Sequence, residues 1–211
     1  MKEYEHIDTI FKRTPDGRLM VGEYATSILE ALKDLAWIGT EKVDGTNIRV
    51  LWDGETVRCG GKTDNAQIPV FLLNRLQDIF TKECMAKNFE GSICLYGEGF
   101  GAKIQKGGSN YISNGVSFAL FDAKVDTGWL QRDALEGIAV TFAIDVVPII
   151  FQGTLLDACD YVRTPRQSKW GIAEIEGLVL QPSVQLFDRQ GHRVLTKIKR
   201  KDFDRLAALG S

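Results

Sequence analysis

Glu41-Lys42-Val43-Asp44-Gly45-Thr46-Asn47-Ile48-Arg49 follows the apolar run Leu35-Ala36-Trp37-Ile38 and sets a lysine, an aspartate and a glycine within four positions. Gly45 with Asp44 beside it is what a turn between strands requires, because glycine takes positive φ at no steric cost. The turn has no use for the Glu41-Lys42 pair ahead of it. Lys42, at the lip of an expected hairpin, is therefore a candidate for chemistry.

Working outward from this turn, strands are expected over Ile48 to Trp52, Thr56 to Cys59, Ile93 to Tyr96, Val116 to Val125, Val146 to Ile150, Gly177 to Gln181 and Val194 to Ile198. The Asp53-Gly54 pair between the first two is a hairpin signal, so the sheet is at least partly antiparallel. Helical spacing appears in Ala25 to Ala36, where Ile28, Leu29, Leu32 and Leu35 recur, and after Pro69, where Leu72, Leu73, Leu76, Ile79 and Phe80 do. A further helix is expected from Asp133, read as its cap, with Leu135, Ile138, Ala139 and Phe142 on one face. Others follow over Leu155 to Val162 and Asp202 to Leu209. Strands and helices mixed without regular βαβ alternation predict an α+β fold, with sheets packed around a cleft.

The chain has 211 residues, 44% of them apolar and 26% charged, enough to bury a sizeable core. The N-terminus carries acids where a secretory signal needs an apolar core, and the run Ile138 to Phe151 is broken by Asp145 and Pro148. Neither export nor a membrane span is expected. Cys59, Cys84, Cys94 and Cys159 form no C-x-x-C pair, and only His6 and His192 are available to join them, which argues against a zinc site. The cysteines read as reduced thiols of a cytoplasmic protein. A formal charge of −2 means that a nucleic-acid partner must be held by a local basic patch.

Lys42-Val43-Asp44-Gly45-Thr46-Asn47 is followed in order by Arg58 and Lys62 in "VRCGGKTDN", Tyr96-Gly97-Glu98-Gly99, Phe118-Ala119-Leu120-Phe121-Asp122, Glu176-Gly177-Leu178-Val179-Leu180, and Lys197-Ile198-Lys199. Taken singly, each has an ordinary reading: the glycines of "GEGFG" as a flexible turn, Phe121 as a core residue, Glu176 as a surface acid at a strand start, and the lysines as solvated charge; their order carries the signal. The series resembles motifs I, III, IIIa, IV and V of the covalent nucleotidyltransferases, the superfamily of ATP-dependent ligases and mRNA-capping enzymes. Asn47, five residues after Lys42, resembles the nick-sealing RNA ligase 2-like branch of the RNA ligases, where DNA ligases and capping enzymes usually carry Arg.

The resemblance implies a nucleotidyltransferase fold with largely antiparallel sheets and flanking helices around an ATP cleft. It implies an ATP-dependent RNA ligase in which Lys42 becomes adenylated, with ATP as substrate and Mg²⁺, or Mn²⁺ in its place, as metal. Glu98 would hydrogen-bond the ribose, Glu176 would orient the metal, and Phe121 would stack on adenine with the Glu41 backbone and Thr40 reading its edge. Asn47, Arg58 and Lys62 would join the nucleotide site. Lys62 stands where the family often has Arg, and a lysine cannot make a bidentate guanidinium contact.

The chemistry accounts for the residue types on its own terms. A lysine with an ordinary pKa of about 10.4 costs roughly 4 to 5 kcal/mol to neutralise at pH 7, and neighbouring positive charge lowers that cost. Lys197 and Lys199, two residues apart, point to the same face of a strand and supply such charge. They would also balance the charge developing on pyrophosphate.

RNA ends or a nicked duplex are the expected partners, held by Arg163, Arg166, Lys169 and the basic run Lys197 to Lys201. The chain is expected to be a single adenylation domain over 1–211 with no appended C-terminal domain, acting as a monomer. Three other functions fit the same residues: a DNA ligase, a GTP-dependent capping guanylyltransferase, and a nucleic-acid-binding module that has lost turnover.

Overall fold

The computed structural model describes residues 3–207, with side chains through Asp204. Two compact units emerge. The first is built from Asp44–Val147 and Trp170–Ala173 together with Tyr4; the second from Glu5–Val43, Pro148–Lys169 and the chain from Glu174 onward.

The first unit is a six-stranded sheet in the order Asp145–Val146, Val116–Val125, Ile93–Gly101, Thr46–Trp52, Val57–Gly60, with Gly128–Trp129 pairing on Val116–Val125. All pairs are antiparallel except Asp145–Val146, which runs parallel to its neighbour. Alternation divides its faces. Ile48, Val50, Trp52, Leu95, Phe118 and Leu120 pack against Leu72 and Leu76 of helix Val70–Ile79, Met85 of Lys82–Asn88, and Leu135, Ile138 and Phe142 of Arg132–Phe142. Asn47, Arg49, Tyr96, Glu98 and Asp122 lie on the other face.

The second unit has a five-stranded sheet, ordered Asp8–Thr9, Thr196–Lys199, Gly177–Pro182, Trp37–Lys42, Ile149–Gly153. Only the first pair is parallel. Trp37, Phe151, Leu178, Leu180 and Ile198 form a core with Leu29 and with Leu155, Ala158 and Val162 of helix Leu155–Arg163. That helix starts with a capping box: Thr154 accepts from the Asp157 amide, and Asp157 accepts from the Thr154 amide. A two-stranded hairpin, Phe11–Arg13 with Leu19–Tyr24, completes the unit.

Several sequence expectations are corrected here. The Lys42 turn is not a hairpin: Trp37–Lys42 belongs to the five-stranded sheet and Thr46–Trp52 to the six-stranded one, so Val43 to Gly45 carry the chain between sheets. Gly97 and Gly99 do not bend the chain either; they sit inside the nine-residue strand Ile93–Gly101. A Cβ on Gly97 would stand 2.2 Å from Phe118 Cζ, and one on Gly99 2.5 Å from Leu72 Cδ2, so both glycines exist to admit core side chains. Val146 to Ile150 divides between the two sheets. The first helix shortens to Ser27–Ala31, because the chain turns after Leu32, whose carbonyl accepts from the Trp37 indole at 2.9 Å. Asp133 lies in the first turn of its helix and Gln131 takes the cap position. The last helix is Arg200–Ala207; Ala208 and Leu209, to which it was expected to extend, lie outside the described residues. Among the described residues no helix is long and apolar enough to cross a membrane.

Candidate active site

The second unit brings the predicted lysines to one carboxylate. Gly177 pairs with Lys42 on one side and with Lys199 on the other, so the three residues form a row across adjacent antiparallel strands and share a face. Glu176, one residue earlier, reaches both ends of this row. Its Oε2 accepts from Lys42 Nζ at 2.5 Å, and its Oε1 meets Lys199 Nζ at 2.5 Å. The three side chains are 13 to 22% exposed, which makes this a largely desolvated ion triad. Burial by itself would raise the Glu176 carboxyl, but the charge of Lys42 and the hydrogen bonds from Lys199 and Lys42 outweigh it and hold the carboxyl below its ordinary range. Glu176 is thus an anchor for cations at neutral pH and not a proton store. Lys197 lies two residues before Lys199, on the same face, opposite Val179.

The row depends on Gly177 having no side chain. A Cβ there would lie 2.0 Å from the Ile198 carbonyl oxygen and 2.8 Å from Lys199 Cα. The strand carrying Lys199 approaches as closely as it does only because position 177 is glycine.

Glu41 faces the opposite side of its strand, in the row of Leu178 and Ile198, and is 2% exposed. Burial raises its carboxyl, partly offset by the Ser168 hydroxyl at 2.5 Å and the Lys169 amide at 3.1 Å, both donating to it. Its own amide is donated to the Pro148 carbonyl at 2.9 Å. Thr40 Oγ1 donates to the Val179 carbonyl at 3.3 Å. The structure therefore gives the Glu41 side chain a structural partner set, tying the Lys42 strand to the segment before Glu176.

In the first unit, Asn47 stands directly opposite Glu98, which stands opposite Ala119. Asn47 Oδ1 is buried and accepts no hydrogen bond from the described residues. Phe121 occupies a bulge: Gly97 pairs with Leu120 and Tyr96 with Asp122, leaving Phe121 as the extra residue beside the Glu98 row. The half-buried Phe121 ring meets Tyr4 edge-on at 5.1 Å, and the Tyr4 hydroxyl donates to Asp122 at 2.7 Å. The turn after Lys42 is braced within this unit, the Asp44 amide donating to Tyr111 Oη at 3.2 Å and Gln105 Nε2 to the Gly45 carbonyl at 2.9 Å.

Arg58 is not brought to this group. It lies opposite Leu51 toward the far end of the sheet, and its guanidinium is paired with Asp53 at 2.7 Å. Lys62 lies instead on the loop after Gly60, the residue paired with Arg49. Of the basic candidates, Arg163 pairs with Asp160 and lies over the Phe203 ring, while Arg166 is exposed with its guanidinium 3.9 Å from the Tyr161 ring centroid. Sequence reasoning quotes Arg49 and Asp122 within its motifs without giving either a role, and misses Tyr4 and Ser168. For Arg49 a signal exists, since Asn47 and Arg49 flank Ile48 and must share a face. For Tyr4 and Ser168 no local pattern marks the contact.

Among the described residues no group of three or more His, Cys, Asp or Glu side chains is placed to hold a metal ion. Within the lysine row, the carboxylate suited to a cation is Glu176.

No curated protein sequence matches. Solved structures of Naegleria gruberi RNA ligase do match: a mutant with ATP and Mn at 16% identity and TM-score 0.66, covering 95% of this chain and 59% of that one; another mutant with ATP and Mn at 20% identity and TM-score 0.62, covering 95% and 59%; and the ligase with PPi at 18% identity and TM-score 0.60, covering 98% and 64%. This chain thus spans about three fifths of the length of those structures. At such identities the likeness establishes the fold, that of the nucleotidyltransferases. The profile of the RNA ligase family matches residues 35–199, from just ahead of the Lys42 strand to Lys199 at the end of the ion triad. By that match, which takes in most of the sequence, the chain belongs to the RNA ligase family.

Proposed function

We propose that this chain is an ATP-dependent RNA ligase that acts through a covalent lysyl-AMP. The observation that carries the reading is the row Lys42–Gly177–Lys199 with Glu176 bonded to both lysines. Lys42 Nζ, once its ammonium has given a proton to solvent, forms a bond to the α-phosphorus of ATP as the bond to the bridging oxygen breaks and pyrophosphate leaves. AMP then passes to an RNA 5′-phosphate, and a 3′-hydroxyl displaces it and joins the strand. Lys199 and Lys197 balance the negative charge that builds on the phosphates.

Asn47 and Glu98 serve the ribose: a buried acceptor without a donor, opposite a carboxylate, suits a pair of sugar hydroxyls. Phe121, lifted out by its bulge, stacks on adenine. Lys62 meets the outer phosphates, and Arg58 braces the hairpin. Glu176 fits a divalent ion of the Mg²⁺ type, which characteristically takes one or two carboxylates and draws its other oxygens from phosphate and water. Such an ion, when bound, supplies further positive charge against the phosphates.

RNA is held through its backbone by exposed cations including Arg166, Lys169 and Lys201, so binding weakens with salt. The four unpaired cysteines suit a reducing, cytoplasmic setting. Burial pushes the Cys59 thiol up to about 11 and the Cys159 thiol up to about 12, which keeps them inert. The chain acts as a monomer.

The test is direct. Protein incubated with Mg²⁺ and α-labelled ATP should retain label after denaturation, resistant to alkali and released by acid as a phosphoramide is, and Lys42→Ala should abolish it. Absence of adenylate, or its persistence in Lys42→Ala, overturns the mechanism. Labelling by GTP in preference to ATP would favour the capping reaction, and faster sealing of all-DNA nicks than RNA nicks would overturn the choice of substrate.

A further inference from the structure

Arg49 is 0% exposed and lies on the face of the first unit's sheet opposite the apolar core, in a row with Gly60, Tyr96 and Asp122. Burying a guanidinium is costly unless its donors are met. Here two of them are met by one loop. Nε donates to the Gly61 carbonyl at 2.7 Å, and Nη2 donates to Asp64 Oδ1 at 2.9 Å. Both partners lie within "GGKTD", the segment that carries Lys62 between them.

The loop is closed from the other side as well. The Ala66 amide donates to the Thr63 carbonyl at 3.1 Å. A Cβ on Gly61 would stand 2.8 Å from Ala66 Cβ, so the loop folds this tightly only with glycine there. Lys62 is exposed at its apex. A lysine is a point charge on a flexible four-carbon stem, and its direction is set by the backbone from which it grows. A planar, five-donor fork anchored in the sheet fixes that backbone at two points, one on each side of the lysine.

We infer that Arg49 is the positioning residue for the phosphate-binding Lys62: with Asp64 it clamps the Gly60–Ala66 loop so that the Lys62 ammonium is presented to the triphosphate. This rests on the ligase reading above and adds to it a residue that acts only through another. Arg49 itself, fully enclosed, does not touch the nucleotide.

The experiment is a mutant cycle on lysyl-AMP formation, measured against ATP concentration in the full chain. Arg49→Lys keeps the charge and removes the fork. Asp64→Asn, at a side chain 65% exposed, removes the ionic end of the clamp without disturbing the interior. Each is expected to raise the KM for ATP about tenfold, the scale of one hydrogen bond to a charged group, with kcat changing much less. In a Lys62→Ala background, which has its own raised KM, neither is expected to add anything. Effects that multiply with Lys62→Ala, or single variants with wild-type KM, overturn the clamp. Should Arg49→Lys fail to fold, Asp64→Asn decides the same question alone. A wild-type chain that forms no adenylate defeats the ligase reading and this inference with it; adenylate formation with multiplying effects defeats the inference only.

Discussion

Replacing Gly177 by alanine adds one methyl group at the centre of the lysine row. That Cβ would begin 2.0 Å from the Ile198 carbonyl oxygen and 2.8 Å from Lys199 Cα, both of them backbone atoms that no rotamer change can move aside. Relief to ordinary contact requires the strand Thr196–Lys199 to retreat from Gly177–Pro182 by about 1 Å, at the rung where Gly177 faces Lys199. Overpacking of this kind costs about 1–3 kcal/mol of stability, or a fall in Tm of roughly 2–12 °C in a chain of this size. The effect on chemistry should be larger than the effect on folding. Glu176 spans Lys42 and Lys199 with 2.5 Å contacts on either side, and a shift of about 1 Å in reacting groups costs on the order of 10²-fold in rate. Thermal or urea unfolding measures the first quantity, and the rate of label transfer from α-labelled ATP to the chain, taken well below Tm, measures the second. A Gly177→Ala chain that folds with the expected loss yet adenylates at the wild-type rate would refute the claim that this row is the reactive arrangement.

Glu176→Gln should destabilise the chain by about 2–4 kcal/mol at neutral pH, since it strands two partly buried ammonium groups. Because the folded-state carboxyl of Glu176 is depressed, its contribution is present above the ordinary value of 4.5 and is lost as pH falls through the folded value; wild type and variant should therefore converge in acid when compared by urea unfolding. Glu41 has the opposite sign: its folded-state carboxyl is raised by burial, so wild-type stability should decline as pH rises from 4.5 through the raised value. Glu41→Gln should flatten that decline in the same measurement, and an unchanged slope would show that another group titrates there.

Much of the site is legible in the sequence because strand alternation is local. Lys197 and Lys199 share a face by spacing alone, and Glu176 stands at the mouth of its strand as expected. The hairpin at Asp53-Gly54 forms too, with Gly54 at φ +98°. The glycines are harder. Read as turn formers, Gly97 and Gly99 prove to be clearances for Phe118 and Leu72, side chains far along the chain in either direction. Nothing in "YGEGFG" distinguishes the two uses, since the reason lies in what packs above the strand. The Lys42 turn reads as a hairpin for the same cause: which sheet each flank joins is decided by partners at Gly177–Pro182 and Ile93–Gly101, not by the turn.

By itself the sequence determined the residue types, their order and the faces on which strand neighbours lie, because these follow from the order of residues along the chain and from a two-residue period. Only the tertiary structure decided the register. Lys42, Glu176 and Lys199 come from separated parts of the chain, and they meet because two strands pair with a third at one shared residue. It also decided that Arg49, an inconspicuous end to the opening stretch, lies buried under the Lys62 loop while Arg58 is taken up by Asp53. Cross-strand registry and close approach at glycine are properties of packing between segments distant in sequence, and a local pattern carries no record of them.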